Sequence, residues 1–344
     1  MIISITRVLL KIIKILLKIV FWLFVFAVLA LIFFSWHAGR REINDRHTSA
    51  PASGQFVRAG DIEMYVQEVG SKDAIPVVFI HGTGAWSESW RDSLQALGDA
   101  GFRAVALDIP PFGYSERPRE ARYARKDQAS RIIGALDSLG IKKAVFVGHS
   151  FGGGATVEAV LQAPDRVAGL VLVDVALGLG SSPSSSSDVL GMVLGVSPLG
   201  YTITAATLTN PMTTKYILRS FIKDPADATP ERVIVYQKPL SLNGTTAAVS
   251  AWLRQFFVHD TQALSSSIDS YRSITVPTAI MWGSDDTVTP LEQGEYIQKN
   301  IPNAELVVLK GIGHIPQIED PKLFETALLA FLQKYNFHVS TEGR

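Results

Sequence analysis

The chain has 344 residues, with 32 basic side chains matched by 32 acidic ones and no cysteine. That charge balance leaves no basic footprint for nucleic acid. The missing cysteine excludes disulfides, thiol catalysis and thiolate metal sites.

The N-terminus reads as a separate object. From Ile19 to Trp36 runs a stretch of eighteen residues without a charged side chain. About twenty apolar residues cross a bilayer core, and Lys18 can snorkel to lengthen the span. Arg7, Lys11, Lys14 and Lys18 come before it, the lysines at helical spacing, so residues 8–18 suit an anionic membrane face. Arg40, Arg41 and Arg46 follow, offset by Glu42 and Asp45. The positive-inside bias places the N-terminus in the cytoplasm and the rest of the chain on the extracytoplasmic side. A cleaved signal would need small residues at its cleavage site, where this chain has Trp36. The expectation is a retained single-pass anchor over residues 1–38, with a signal peptide and a buried helix as alternatives. Residues 39–55 are polar, with Pro51 and Gly54, and read as a linker giving the following domain reach.

From Ile62 to Val69 apolar and polar residues alternate, which predicts an early strand in an antiparallel pair. Pro76 to Ile80 is a continuous apolar run, as a parallel strand buried on both faces demands. It ends in His81-Gly82-Thr83-Gly84. A helical pattern spans Trp86 to Ala100, and a second buried strand spans Phe102 to Leu107. That strand leads into Asp108-Ile109-Pro110-Pro111-Phe112-Gly113-Tyr114-Ser115. A helix follows over Arg125 to Leu139, then the apolar run Ala144 to Val147. A further helix to Ala163 and the run Leu170 to Val173 continue the alternation. This rhythm predicts a mostly parallel α/β sheet flanked by helices.

The rhythm breaks between Gly178 and about Tyr271, where no buried strand is predicted. Ser181 to Ser187 is low in complexity, and Val189, Leu190, Met192, Val193 and Leu194 are unusually apolar. Structureless loops of that length are rare in compact domains, so residues 178–271 are expected to form an inserted helical lid. The apolar residues either pack the lid or line a greasy substrate entrance. The sheet resumes at Pro277 to Trp282 and closes with Glu305 to Leu309, before a helix from Pro321 to Tyr335. The core is thus expected in two parts, residues 56–177 and 272–337, followed by a tail over 338–344.

Chemistry concentrates at Gly148-His149-Ser150-Phe151-Gly152, a Gly-x-Ser-x-Gly pentapeptide between a strand and a helix. In that setting the serine stands on a sharp turn with its hydroxyl above the sheet. A serine hydroxyl needs a base within hydrogen-bond reach, and the base needs a carboxylate to hold its tautomer. Open α/β sheets build sites at the C-terminal ends of their strands. Two loops qualify: Gly283-Ser284-Asp285-Asp286 after one strand, and Gly311-Ile312-Gly313-His314 after the next.

The order Ser150, acid, His314 completes the pattern, and residues from about 60 to 337 resemble the α/β-hydrolase fold superfamily in its lid-bearing esterase, lipase and haloperoxidase-like branch. Five segments carry the resemblance: Val78 to Gly84, Asp108 to Ser115, Val147 to Gly153, Trp282 to Asp286, and Gly313-His314. It implies Ser150 as nucleophile, His314 as general base and acid, and Asp286 rather than Asp285 as the orienting carboxylate. It also implies an oxyanion hole made by the backbone N–H groups of Thr83 and Phe151. Gly82 lets that loop approach, Gly148 and Gly152 flank the elbow, and His81 braces its loop. His149 is expected beneath the elbow, while His37, His47, His259 and His338 have no motif around them. Neither metal-ligand spacing nor a cofactor motif is present.

Serine in place of aspartate separates the chain from epoxide hydrolases and haloalkane dehalogenases. His-Gly-Thr-Gly lacks the His-Gly-Gly-Pro-Gly of proline iminopeptidases and the Gly-Pro-Gly of carbon–carbon bond hydrolases. The expected function is therefore a membrane-anchored carboxylesterase or lipase acting on small hydrophobic esters or thioesters. A cofactor-free perhydrolase on the same triad, and a non-catalytic binding module, are the alternatives.

Overall fold

The computed structural model describes residues 2–179, 191, 194–196, 198–256 and 262–337, the side chains of residues 2–9 excepted. Expectations for Ser181 to Ser187, Val189, Leu190, Met192, Val193, His259, His338 and the 338–344 tail lie outside the described residues.

Helix α1 (Ile2–Arg41) opens the chain. Within Leu10–Arg41 it carries an eighteen-residue window of mean hydropathy 2.9, none of it buried. It is long and apolar enough to cross a membrane.

The core is one eight-stranded sheet in the order β1-β2-β4-β3-β5-β6-β7-β8. The strands are β1 (Gly54–Ala59), β2 (Ile62–Val69), β3 (Pro76–Ile80), β4 (Arg103–Leu107), β5 (Ala144–His149), β6 (Val167–Val173), β7 (Thr278–Gly283) and β8 (Glu305–Leu309). The β1–β2 and β2–β4 pairs are antiparallel, and all others are parallel. The continuous apolar runs are explained by two faces that are both covered. Val78, Ile80, Val105, Leu107 and Phe146 point into one core, with Ile132 and Leu136 of α3 (Arg125–Ser138) and Val157 of α4 (Phe151–Gln162). Their neighbours Val77, Phe79, Ala104, Ala106, Val145 and Val147 point into the other core. There they meet Leu94 and Leu97 of α2 (Arg91–Asp99) and Phe324 and Leu328 of α10 (Pro321–Lys334). The period of two along each strand shares its side chains between these layers.

Between β6 and β7 stand α5 (Leu199–Ala206), α6 (Pro211–Phe221), α7 (Pro230–Gln237) and α8 (Thr245–Phe256), joined by short 3-10 turns. Leu194 is buried here with Phe112, Phe151, Val249 and Trp252. Trp86 Nε1–H donates to Val235 O (2.9 Å) and Tyr123 N–H to Gln255 Oε1 (2.9 Å), fastening this cap to the core loops. Helix α9 (Leu291–Gln298) lies against β7 and β8.

The 39–55 segment differs from the expected linker. Asn44 forms a β-bridge to Leu242, the Glu42 carboxylate accepts from Thr246 N–H (3.1 Å), and Tyr65 donates to Pro51 O (2.6 Å). Arg46 pairs with Glu63, and β1 begins at Gly54. Polar residues that look unstructured in sequence find backbone partners in the cap and in β2, so the segment is docked and carries no slack.

Candidate active site

Ser150 joins β5 to α4 with φ 49° and ψ −124°, a left-handed conformation that costs about 1–3 kcal/mol for a non-glycine residue. The surroundings hold it there. Ser150 N–H donates to Val173 O (3.1 Å), and its carbonyl accepts from Gly153 N–H and Ala176 N–H (3.0 Å each). The flanking glycines are required by close approach. A Cβ on Gly148 would stand 2.4 Å from Thr156 Oγ1, and one on Gly152 2.4 Å from His81 O.

The structure brings Ser150, His314 and Asp286 into one hydrogen-bonded line. His314 Nδ1 lies 2.8 Å from Asp286 Oδ2, and His314 Nε2 lies 2.8 Å from Ser150 Oγ. An ionised carboxylate can only accept, so the proton sits on Nδ1 and Nε2 is free to accept from the serine hydroxyl. Ser150 and His314 are both buried. Burial by itself would raise the Asp286 carboxyl. Hydrogen bonds from His314 and from Thr289 outweigh it, and the group is held below the usual carboxylate range. Asp286 Oδ1 also accepts from Val288 N–H (2.7 Å) and Thr289 N–H (3.0 Å). Asp285 instead points outward, 3.4 Å from Lys223 Nζ.

The loop after β3 passes directly over Ser150, since a Cβ on Gly82 would meet Ser150 Cβ at 2.9 Å. Among the described residues, neither Thr83 N–H nor Phe151 N–H has a hydrogen-bond acceptor. Two free backbone donors beside a serine hydroxyl, one of them in the first turn of α4, suit a developing oxyanion. His81 is fully buried and bridges two loops. Its Nδ1–H donates to Gly82 O (2.9 Å), and its Nε2 accepts from Ile109 N–H (2.9 Å). Burial pulls its pKa down to about 4, so it remains neutral. His149 is also buried, its pKa lowered to about 3 by burial, and its Nε2–H donates to His314 O (2.7 Å).

Two charged groups were not singled out from sequence. Asp174 follows β6 at φ 43° and is fully buried. Its Oδ1 accepts from Gly283 N–H (2.8 Å). Burial, then the charge of Asp286 beside it, raise this carboxyl well above its ordinary range. Its signal in sequence was its place at the C-terminal end of a buried strand. Arg117 has no carboxylate partner among the described residues. It donates to Ser115 O (2.8 Å), Gly113 O (3.1 Å) and Thr245 Oγ1 (3.1 Å), while its buried Nε has no acceptor. Burial lowers its pKa to about 10.

Next to this site lies a cleft of about 750 Å³, its open mouth included, running from Thr83 and Gly84 under the cap. Its wall is apolar, with Phe112, Leu208, Leu218, Phe221 and Val249, and Arg117 is the one charged residue among those described there. The Phe221 ring stands 5.7 Å from that of His314. Among the described residues no group of side chains could hold a metal ion.

A mostly parallel sheet with a serine elbow, and a histidine and an acid on later strand ends, defines a hydrolase of the α/β type. The chain belongs to the alpha/beta hydrolase fold family, whose model matches residues 75–321. It is 30% identical to a 2-hydroxy-6-oxononadienedioate/2-hydroxy-6-oxononatrienedioate hydrolase of Pseudomonas putida, over 83% of this chain and 98% of that one. A solved meta-cleavage product hydrolase from Pseudomonas fluorescens IP01 superposes with a TM-score of 0.68 at 26% identity, over 82% of this chain and 98% of the other. A membrane phospholipase A shares the fold at 23% identity and a TM-score of 0.64, over 94% of this chain and 98% of its own. The first two of these are named for dienedioate or trienedioate and meta-cleavage product substrates, and the third for phospholipid. With relatives of the first kind, the Gly82–Gly84 loop by itself does not exclude the chain from their branch.

Proposed function

We propose that the protein is a membrane-anchored serine hydrolase that cleaves hydrophobic carboxylic esters through an acyl-enzyme. The observation that carries this reading is the unbroken line Ser150 Oγ–His314–Asp286, with 2.8 Å at each link. In it, Ser150 Oγ attacks the acyl carbon while His314 Nε2 takes the hydroxyl proton and Asp286 stabilises the imidazolium. Thr83 and Phe151 N–H groups receive the oxyanion, each contributing about 3–4 kcal/mol to a reaction of this kind. His314 returns the proton to the leaving alkoxide as the carbon–oxygen bond breaks, and water then attacks the acyl-serine by the same route. The apolar cleft supports a hydrophobic acyl group, and α1 supports an anchor with the N-terminus cytoplasmic and the catalytic domain extracytoplasmic. A fluorophosphonate probe tests the reading. Labelling of Ser150 that disappears in His314→Ala is expected, and no labelling of the wild-type chain would overturn it.

A second reading has one observation in its favour. The Pseudomonas putida relative is named for a dienedioate, whose carboxylates suit a cation, and Arg117 is the cleft's one described cation. Hydrolysis of a 2-hydroxy-6-oxo-dienoate in preference to p-nitrophenyl butyrate, lost in Arg117→Leu, would establish it over the ester reading.

A further inference from the structure

The cap carries a feature that neither the catalytic line nor the cleft uses. On α6 the exposed residues are Met212, Lys215, Tyr216, Arg219 and Ser220, and Met212 and Tyr216 are 73% and 70% exposed. The helix contains no acidic residue. Among the described residues neither Lys215 nor Arg219 enters an ion pair. Apolar and basic side chains on the same outer face of one helix are what an interfacial helix presents to acyl chains and anionic headgroups.

This face is continuous with the end of α1. Gln237 Nε2–H donates to Pro211 O (2.7 Å), joining the start of α6 to the end of α7. Ile234 of α7, 52% exposed, shares a surface groove with Asn44, Gln237 and Lys238. Ile43, beside Asn44, is 71% exposed. At the same point α1 enters the cap, where Ala38 is fully buried, Arg41 Nε–H donates to Leu240 O (3.2 Å) and Glu42 holds Thr246. Leu240 and Thr245 are walls of the cleft. The helix that can cross a membrane thus ends on the wall of the acyl cleft, ringed by exposed apolar side chains.

From this continuity we infer that the outer face of α6 and α7, with Ile43, lies in the interfacial layer of the bilayer that α1 crosses. The cap sits on the lipid surface, and the substrate is a membrane-resident amphiphile whose acyl chain enters the cleft without crossing water. The inference rests on the anchored-hydrolase reading for its substrate and on α1 alone for its surface.

The natural absence of cysteine makes single labels unambiguous. Met212→Cys, Tyr216→Cys and Ile234→Cys, with Glu295→Cys on α9 as control, are labelled with an environment-sensitive nitrobenzoxadiazole dye in the full chain. Each is reconstituted in nanodiscs with phosphatidylcholine carrying a doxyl quencher near the headgroup. At least twofold quenching at the three cap positions and none at the control is expected. Equal quenching at all four positions, or emission that follows the protein-to-lipid ratio instead of the quencher, would overturn the bilayer contact, the latter in favour of a second copy of the chain. In the second arm, the doubly substituted Lys215→Glu, Arg219→Glu chain should hydrolyse an ester embedded in phosphatidylglycerol vesicles at least fivefold more slowly. Its rate on water-soluble p-nitrophenyl acetate should match wild type, and equal rates on the vesicles would count against the surface. A wild-type chain inactive on both esters would overturn the hydrolase reading, and the quenching arm would still decide the surface.

Discussion

Thr289 Oγ1–H donates to Asp286 Oδ2 at 2.6 Å, and the same oxygen of Asp286 stands 2.8 Å from His314 Nδ1. One carboxylate oxygen thus serves both the histidine and a hydroxyl three residues along its own loop. Replacing Thr289 by Val removes one of the bonds that hold this carboxyl low. The group then titrates at higher pH, so the acidic limb of kcat/KM should move upward. Hydrogen bonds to charged groups contribute about 1.5–3 kcal/mol, which sets the largest effect to be expected. A pH–rate profile on p-nitrophenyl butyrate measures it, and an unmoved acidic limb would rule out this role.

The two adjacent aspartates should behave very differently. Asp286→Asn leaves His314 without its charge partner and favours the wrong tautomer, so kcat should fall about 10³–10⁴-fold. Asp285 faces solvent and Lys223, so Asp285→Asn should stay within about twofold of wild type, since such exposed pairs contribute about 0–1 kcal/mol. Steady-state kinetics of the pair decides between them.

Asp174 is buried beside Asp286, and burial and that charge raise its carboxyl well above the ordinary range. A carboxyl whose folded pKa is raised binds more protons folded than unfolded, so it removes stability as pH rises above its ordinary value of about 4. Asp174→Asn should therefore raise Tm more at pH 9 than at pH 5, with activity at neutral pH largely kept. Thermal melts at the two pH values read this directly, and an equal shift at both would contradict a raised Asp174 carboxyl.

Asp61 grips the buried Arg131 with two hydrogen bonds of 2.8 and 2.9 Å, which hold its carboxyl far below the usual range. Its stabilisation is present above the ordinary carboxylate pKa and is lost as pH falls toward the folded value. Asp61→Asn strands the guanidinium. Asp61 is one-third exposed, so solvent screening reduces the cost to about 1–2 kcal/mol. Tm should drop a few degrees at pH 7, and the gap to wild type should narrow on acidification below about pH 4.

Much of the molecule was legible in the chain because local physics wrote it there. Strands β2 and β8 fall on Ile62–Val69 and Glu305–Leu309 as alternation and apolar runs required. The elbow was readable because a serine between Gly148 and Gly152 needs both neighbours to lack a Cβ. The reading failed where polar residues have two possible fates. Residues 39–55 look the same whether they dangle in water or hydrogen-bond to a distant cap, and β1 was hidden at their edge for that reason.

The sequence by itself determined the α/β architecture, the apolar N-terminal helix and the residue types from which a nucleophilic site can be built. Only the tertiary structure decided the rest. It turned Asp286 inward and Asp285 outward, set Asp174 against Asp286, put Arg117 in an apolar cleft with no carboxylate partner among the described residues, and seated the end of α1 on that cleft's wall. Each of these depends on which backbone groups from distant segments meet a given side chain. Side-chain periodicity records whether a face is buried, but not the identity of the partner that buries it.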